Sequence, residues 1–182
     1  MGDVRNKIEL EQVEKADFDE IYRLMEQSFI REEIRDYEDA LAVMDEPAYR
    51  LYHLMLDGRR IGFVSLWCLG EISFVEHFAI REEYRNHGYG GLVIDAVVQT
   101  FAPVVLEAET PETEIAKRRI GFYERHGFVC NPIPYRQPSY RVGGEGVPLV
   151  LMSSGGALEF PDRVVSLLYR HVYGLADGER EE

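Results

Sequence analysis

The sequence predicts a mixed α/β domain with a central, mostly antiparallel twisted sheet and helices on both of its faces. Three strand-like runs follow one another between residues 49 and 80, and Asp57-Gly58, a dipeptide typical of tight hairpins, joins the first two. A strand that leads into a glycine-rich turn and an apolar-faced helix follows at residues 74–101. Segments with helical spacing before and after these strands supply the layers that cover the sheet.

Length and composition favour one folded domain. The 182 residues contain 46% hydrophobic and 12% aromatic residues, which is typical of globular proteins. We expect this domain over residues 1–176, with a core of about 8–153, an accessory helix at about 160–174 and a disordered tail at 177–182. No apolar run reaches the roughly 20 residues that span a bilayer, and the N-terminus lacks a signal-peptide core. Two widely spaced cysteines favour the reducing cytoplasm.

The net charge of −13 argues against nucleic-acid binding, because phosphate contacts require a basic surface. Residues 1–47 hold fifteen Asp and Glu against six Lys and Arg, so this segment supplies most of the negative excess. Two interpretations stay open. The acidic residues form a solvated surface that aids solubility, or they attract a cationic amine substrate.

The N-terminal third predicts a strand followed by two helices. Alternating apolar residues within 7–15 predict the first strand. Asp17 with Glu20 three positions later predicts a capping box at the start of the first helix. A second helix over residues 37–44 should end before Pro47.

The middle of the chain predicts an antiparallel meander, because three strand-like runs cover residues 49–56, 60–69 and 71–80. A buried strand is expected at 104–109 after the glycine turn and its helix.

The C-terminal third predicts a further helix, two strands and a last helix. Thr110 and Pro111 suit the cap and first position of the helix, and Gly127 is placed to end it. Strands are expected from residue 128 onward and at 148–153, and an amphipathic helix at 164–172.

The glycine turn reads Arg85-x-x-Gly88-x-Gly90-Gly91. Its glycines allow backbone N–H groups to converge at the start of the following helix, which creates an anion site. The spacing is not that of a P-loop, because no Lys and Ser/Thr follow Gly91, nor that of the dinucleotide fingerprint. The turn therefore predicts a diphosphate site, with a plain strand-to-helix turn as the alternative.

This turn resembles the acetyl-CoA site of the GCN5-related N-acetyltransferases (GNAT family), whose motif is Arg/Gln-x-x-Gly-x-Gly/Ala. A second motif, Gly121-Phe-Tyr123 followed by Gly127-Phe128, resembles the helix-to-strand element of the same family, and the two occur in the family's order. The resemblance covers roughly residues 8–153. Relatives often carry Asn seven positions before this tyrosine, where it helps to hold the pantetheine arm, and the present chain departs from that pattern with Ala116.

The resemblance implies a sheet of about six to seven strands whose fourth and fifth strands splay to admit acetyl-CoA. It also implies that Tyr123 and the end of the preceding strand contact the coenzyme, together with the turn itself. The expected coenzyme-binding residues are Phe78, Ala79, Ile80, Arg85, Asn86, His87, Gly88, Tyr89, Gly90, Gly91 and Tyr123. No set of potential ligands has metal-site spacing, so no metal is expected.

Transfer of an acetyl group to an amine requires a base, because a free alkyl amine has a pKa of roughly 10.4. Glu76 is the first candidate, since strand alternation predicts Phe74 and Phe78 on its face and hence a pKa raised by desolvation. The same alternation directs His77 to the opposite face. Glu109 is the second-choice base. A carboxylate at the rim without a proton-transfer role is the alternative for Glu76.

Tyr123 is the candidate acid, because the resemblance implies that its hydroxyl lies near the sulfur and donates to the departing thiolate. A core tyrosine with a satisfied hydroxyl is the alternative.

The resemblance implies an N-acetyltransferase that uses acetyl-CoA and acts by direct attack in a ternary complex. We expect a small-molecule amine as the acceptor, and neither nucleic acid nor membrane as a partner; a homodimer stays open. The expected acceptor-binding residues are Tyr37, Glu76, Glu109, Tyr135 and Tyr140. The alternatives are a peptide N-terminus or protein lysine as the acceptor, or a non-catalytic acyl-CoA-binding module.

Overall fold

The structure is a computed structural model that describes residues 7–101 and 103–175. The predicted disordered tail at 177–182 lies outside these residues. The strands are β1 (Ile8–Gln12), β2 (Tyr49–Leu56), β3 (Arg59–Cys68), β4 (Ser73–Ile80), β5 (Val104–Glu109), β6 (Phe128–Cys130), β7 (Arg136–Gln137) and β8 (Val147–Ser154). The helices are α1 (Phe18–Ser28), α2 (Tyr37–Val43), α3 (Tyr89–Phe101), α4 (Glu114–Arg125) and α5 (Pro161–His171).

The predicted central sheet with helices on both faces is confirmed. Its strand order is β1-β2-β3-β4-β5-β8-β6, and the two-residue β7 pairs with β8, which brings the described strands to eight. The neighbours β4 and β5 run parallel, and the other described pairs are antiparallel. Helices α1 and α5 pack on one face, and α3 and α4 pack on the other. No helix in the described ranges combines the length and apolar character that crossing a bilayer requires.

The predicted hairpin between β2 and β3 is confirmed. Both turn residues have a positive φ, 49° at Asp57 and 74° at Gly58. A turn of this kind matches the twist of the two strands and requires residues that tolerate the left-handed region, as Asp and Gly do.

Strands β4 and β5 pair over three positions and then part. Their last pair joins Val75 with Leu106, whereas β4 continues to Ile80 and β5 to Glu109. On its other side β5 stays paired with β8 as far as Glu109. Within the described chain, the edge of β4 that faces β5 therefore has no strand partner beyond Val75, while the other edge stays paired with β3. The predicted splay of the two strands is present.

A β-bulge interrupts the pairing of β4 with β3. The register pairs Ser65 with His77 and Leu66 with Val75, so Glu76 is an extra residue on β4. A bulge of this kind shifts the alternation of side chains by one position, and every later residue of the strand changes face.

The bulge overturns two predictions made from strict alternation. Phe74 is buried with the core that contains α1, whereas Phe78 packs against the core on the opposite face, so the two do not flank Glu76 together. His77 is not on the face opposite Glu76 either. Its ring packs against Phe29 at 5.0 Å, on the α1 side of the sheet.

The start of α1 differs from the predicted capping box. The Asp17 side chain makes no cap hydrogen bond. Arg60 instead donates to Oδ2 of Asp17 over 2.8 Å and to Oε2 of Glu20 over 2.9 Å. Charge-assisted bonds to a guanidinium are stronger than a neutral cap bond, so the two carboxylates attach α1 to the sheet.

The start of α4 lies later than predicted. Thr113 is the cap, and its Oγ1 accepts from the backbone N–H of Ala116 over 3.1 Å. The interpretation of Thr110 and Pro111 as cap and first helical residue is therefore wrong. Gly127 follows the end of α4 with a φ of 83°, as predicted for a helix stop.

Candidate active site

A cleft of about 770 Å³ opens where β4 and β5 part. Five parts of the chain contribute to its wall, namely the end of α1 with the residues that follow it, the second half of β4, the glycine turn before α3, the end of β5 and one face of α4. The cleft collects all the predicted coenzyme residues except His87 and Gly91. These lining residues are Phe78, Ala79, Ile80, Arg85, Asn86, Gly88, Tyr89, Gly90 and Tyr123.

The glycine turn presents the N-terminus of α3 to the cleft. Asn86 and Gly88 have positive φ values of 64° and 79°, which bend the chain so that α3 can begin at Tyr89. The N–H groups of a first helical turn lack intrahelical acceptors, so they can bind an anion. The unpaired edge of β4 adds a row of backbone groups on the same side. These features fit a coenzyme that carries a diphosphate and an extended amide-containing arm.

Arg85 has a local role in the turn. Its Nε donates to the carbonyl of Ile80 over 2.8 Å, which fastens the turn to the end of β4. His87 lies beside the turn with Nδ1 2.6 Å from the carbonyl of Arg85, and its ring stacks on Tyr89 at 5.7 Å. These contacts shape the turn, and any contact of either residue with the coenzyme stays a prediction.

Gly91 lies where the start of α3 approaches the end of α4. A Cβ atom at this position would lie 2.7–2.9 Å from the imidazole of His126, the residue that follows α4. Its N–H already lies 3.2 Å from the carbonyl of Gly88. Glycine at this position therefore allows α3 and α4 to approach.

Tyr123 lines the cleft from α4, and its ring lies 5.2 Å from Phe122 and 5.7 Å from Phe128. Burial raises the pKa of Tyr123, and the nearby Arg119 only partly opposes this shift. The phenol therefore stays protonated near neutral pH and can donate a hydrogen bond. Its role as the acid stays a prediction.

Glu76 is buried, with a side chain that is 1% exposed. Arg35 donates to Oε1 over 2.5 Å, Tyr140 donates to the same oxygen over 3.0 Å, and Trp67 donates to Oε2 over 3.2 Å. Burial alone would raise the pKa of Glu76, but the charges of Arg35 and His77 and the hydrogen bonds from Arg35 and Tyr140 hold it below its ordinary value. The predicted rise is therefore wrong, because the partner cation comes from a distant segment.

Glu107 on β5 is a second carboxylate in the cleft. The hydroxyls of Tyr135 and Tyr173 both donate to it, the latter at 2.8 Å from Oε1 and 3.0 Å from Oε2. Burial raises the pKa of Glu107 to about 7, with a contribution from the charge of Glu76, while the hydroxyls act in the opposite direction.

Three further predicted acceptor residues lie at or near the cleft. Tyr135 and Tyr140 lie at the buried carboxylates, where their hydroxyls are the donors to Glu107 and Glu76. Glu109 lines the cleft and forms an ion pair with Arg119 over 3.2 Å.

Tyr37 lies apart from this group. Its hydroxyl donates to Oδ1 of Asp19 over 2.5 Å, and its ring packs edge-on against Tyr22 at 5.1 Å. It borders a separate cavity of about 550 Å³ beside α1. The structure does not bring it to the carboxylates, so acceptor binding by Tyr37 stays a prediction.

The comparisons with known proteins agree with this geometry. Residues 47–130 match the family model of an acetyltransferase (GNAT) domain. A solved structure from Bacteroides thetaiotaomicron, assigned to the GNAT family of acetyltransferases, shares 32% identity over 92% of this chain and 99% of its own, with a TM-score of 0.88. The chain belongs to the GNAT family. No curated protein sequence matches it significantly.

More distant GNAT structures share the fold. AAC(6')-Ib in complex with paromomycin and acetyl-CoA matches with a TM-score of 0.62 and 15% identity, over 82% of this chain and 93% of its own. A chimera of spermidine N-acetyltransferase SpeG from Vibrio cholerae with hSSAT matches with a TM-score of 0.61 and 16% identity, over 81% and 95%.

Sequence reasoning missed three residues at the carboxylates of this GNAT protein, namely Arg35, Glu107 and Tyr173. One signal was available for Glu107, because it stands two positions before Glu109 and alternate strand residues share a face. Tyr173 follows α5, far from either motif, and no local pattern connects it to β5.

Proposed function

We propose that this GNAT protein transfers the acetyl group of acetyl-CoA to a primary amine of a small molecule, by direct attack in a ternary complex. One observation carries the proposal. A single cleft joins the glycine turn at the start of α3 to the carboxylates of Glu76 and Glu107. A coenzyme site and an amine site therefore adjoin where the strands part. AAC(6')-Ib bound to paromomycin and acetyl-CoA, and SpeG, named for spermidine, support a small amine as the acceptor.

The coenzyme supplies an activated thioester, and this chain holds it with backbone groups. The N–H groups at Gly88–Gly90 bind the diphosphate at the start of α3. The unpaired edge of β4 at residues 78–80 binds the amides of the pantetheine arm as an added strand would. An N–H of this edge also stabilises the negative charge that develops on the carbonyl oxygen during attack.

The side chains of the cleft move protons. An amine that arrives as an ammonium ion must lose a proton before it attacks, and a carboxylate of the cleft accepts it. Tyr123 donates to the departing sulfur. Because a phenol has a pKa near 10 and a thiol near 8.5, a hydrogen bond to the thiolate suits Tyr123 better than full proton transfer.

The charges in the cleft favour a cationic acceptor. Glu109 is paired with Arg119, and Glu76 with Arg35, but none of the ion pairs among the described residues involves Glu107. An ammonium group would supply the missing positive charge. The two cysteines are unpaired, as in proteins of the reducing cytoplasm, which is the compartment we propose.

The test is a screen for acetyl-CoA consumption with amines, amino acids, polyamines, aminoglycosides and peptides as acceptors. We expect turnover with one class of small amine, and binding of acetyl-CoA by calorimetry without any acceptor. Turnover with peptides alone would replace the small-molecule acceptor by a peptide N-terminus or lysine. Binding without turnover across the whole screen would favour an acyl-CoA-binding module, and absence of binding would overturn the proposal.

A further inference from the structure

Two glutamates stand at the point where the sheet divides. The last pair of β4 and β5 joins Val75 with Leu106, and the next residue on each strand is Glu76 or Glu107. Both carboxylates line the large cleft, and both also border a narrower space of about 120 Å³ beside it. The position that an acceptor amine must reach is therefore flanked by two carboxylates with different surroundings.

Glu107 is held by hydroxyl groups from two separate segments. Tyr135 precedes β7 and Tyr173 follows α5, and both donate to the carboxylate. Burial and the charge of Glu107 raise the pKa of both phenols well above the ordinary value, so they stay donors near neutral pH. A carboxylate has about four lone-pair positions, so two donors leave room for an amine or a water molecule.

The groups that face Glu107 come from every element around the point where β4 and β5 part. Glu33, Glu76, His77, Glu109 and Arg119 border the same narrow space. Tyr140 and Arg35 lie behind Glu76 and pair with it. The two guanidinium groups are each paired with another carboxylate, so the described surroundings of Glu107 are acidic and phenolic apart from the imidazole of His77.

We propose that Glu107 is the general base of the acetyl transfer and that Tyr173 is a positioning residue that holds its carboxylate in the cleft. The inference rests on the proposed function and adds a role for the segment that follows α5. Glu76 is less suited to the task, because Arg35, Tyr140 and Trp67 all donate to its carboxylate. Burial raises the pKa of Glu107 to about 7, which suits a base that works near neutral pH.

The proposed step conserves protons and bonds. The carboxylate of Glu107 takes one proton from the ammonium group and becomes a carboxylic acid, and the neutral amine attacks the thioester carbonyl carbon. A C–N bond forms, the C–S bond breaks, and the electron pair of the latter leaves on sulfur. The second nitrogen proton ends on the thiol, and the proton on Glu107 returns to solvent, so an amide, a thiol and one proton result.

The experiment measures the pH profile of kcat/KM for wild type, Glu107→Gln, Glu76→Gln, Tyr173→Phe and Tyr135→Phe. Tyr169→Phe is the matched control, because Tyr169 lies on α5 but donates to the carbonyl of Arg136. The wild type should lose activity on the acid side, with a midpoint near the pKa of Glu107. Calorimetry with acetyl-CoA and thermal unfolding show whether each variant is folded.

The variants should shift the acid-side midpoint of the pH profile of kcat/KM in opposite directions. Glu107→Gln should lower kcat/KM by about 10²- to 10⁴-fold and abolish the acid limb. Tyr173→Phe and Tyr135→Phe each remove a hydrogen bond to the carboxylate, so the midpoint should move to higher pH. Glu76→Gln removes a negative charge that raises the pKa of Glu107, so the midpoint should move to lower pH.

An acid limb that survives Glu107→Gln in an active enzyme would overturn the inference and leave the proposed function intact. So would equal midpoints for Tyr173→Phe and Tyr169→Phe in folded protein. Absence of turnover in the wild type would instead overturn the proposed function. The two failures are thus distinguishable.

Discussion

Arg35 and Glu76 form a buried ion pair, with Nη1 of the arginine 2.5 Å from Oε1 of the glutamate. The two side chains are 11% and 1% exposed. Arg35 also donates to the carbonyl of Val172 over 2.6 Å, and its guanidinium lies 4.5 Å from the ring centre of Tyr140. One side chain from the segment between α1 and α2 therefore connects the β4 bulge with the end of α5.

Replacing Arg35 with Met should lower the free energy of unfolding by about 3–5 kcal/mol, because it leaves a buried carboxylate without its cation. Urea unfolding at pH 7 measures this loss. The double variant Arg35→Met, Glu76→Leu should recover much of the stability, because it removes both charges. A loss below about 1 kcal/mol for the single variant would contradict a buried, structurally important pair.

Glu107 should make stability depend on pH in an unusual direction. Its pKa is raised from 4.5 to about 7 on folding, so the native state binds the proton more tightly than the unfolded state. Stability from this group is fully present below the unfolded pKa and is lost as pH rises through about 7.

The variant Glu107→Gln removes this dependence. The free energy of unfolding of the variant, relative to that of wild type, should therefore increase as the pH rises from 5 to 8.5, by at most about 3 kcal/mol. Denaturant unfolding at both pH values measures the difference. An equal effect of the variant at the two pH values would show that the carboxyl does not change its protonation in this range.

Charge at the start of α3 should control coenzyme binding. A Cβ at Gly90 would lie 3.7 Å from the ring of Phe122, an ordinary contact, so a side chain can be accommodated there. Gly90→Glu places a negative charge beside the proposed diphosphate site, and Gly90→Gln is a control of the same size. By calorimetry, the Glu variant should bind acetyl-CoA at least about 10-fold more weakly than the Gln variant. Equal affinities would place the diphosphate elsewhere.

Removal of the Tyr123 hydroxyl should slow the reaction without weakening coenzyme binding. Tyr123→Phe keeps the packing against Phe122 and Phe128 but removes the hydroxyl that we propose donates to the departing sulfur. We expect kcat to fall by about 10²-fold, while the Kd for acetyl-CoA stays unchanged. Tyr52→Phe is the control, because its ring packs on Phe101 on another part of the sheet. The same kcat for both variants would assign Tyr123 to packing alone.

Gly62 on β3 should be required for the shape of β4 at residues 78–80, whose unpaired edge is the proposed site of the pantetheine arm. A Cβ there would overlap the carbonyl oxygen of Ala79 and lie 3.0 Å from Cα of Ile80, both backbone atoms of β4. Gly62→Ala should therefore cost about 1–3 kcal/mol and weaken acetyl-CoA binding. Gly121→Ala on α4 is a matched control, because its nearest neighbour is the flexible end of Arg125 at 3.5 Å. It should stabilise the helix by up to about 1 kcal/mol. Equal effects in urea unfolding would contradict the predicted clash.

Several features could be predicted from the sequence because they depend on residues that are close in the chain. The hairpin at Asp57-Gly58 and the turn from Arg85 to Gly91 each combine a local backbone requirement with residues that meet it. The second motif, around Tyr123, lies on α4, which lines the same cleft. These segments were sufficient for the family and for the proposed coenzyme side of the cleft.

Predictions from local sequence patterns were wrong where a residue that is distant in the chain supplies the interaction partner. Asp17 and Glu20 have the spacing of a capping box, but Arg60 on β3 binds both carboxylates. Strict alternation along β4 failed because the bulge at Glu76 appears only in the pairing with β3. Neither effect leaves a pattern within the segment itself.

The sequence by itself determined the fold class, the family and most of the residues that line the coenzyme side of the cleft we propose. The tertiary structure alone decided the state of the two glutamates. The bond from Arg35 to Glu76 spans 41 positions, and that from Tyr173 to Glu107 spans 66. A carboxyl group takes its pKa from the charges, donors and burial around it, and here the folded chain brings those groups together from segments that are far apart in sequence.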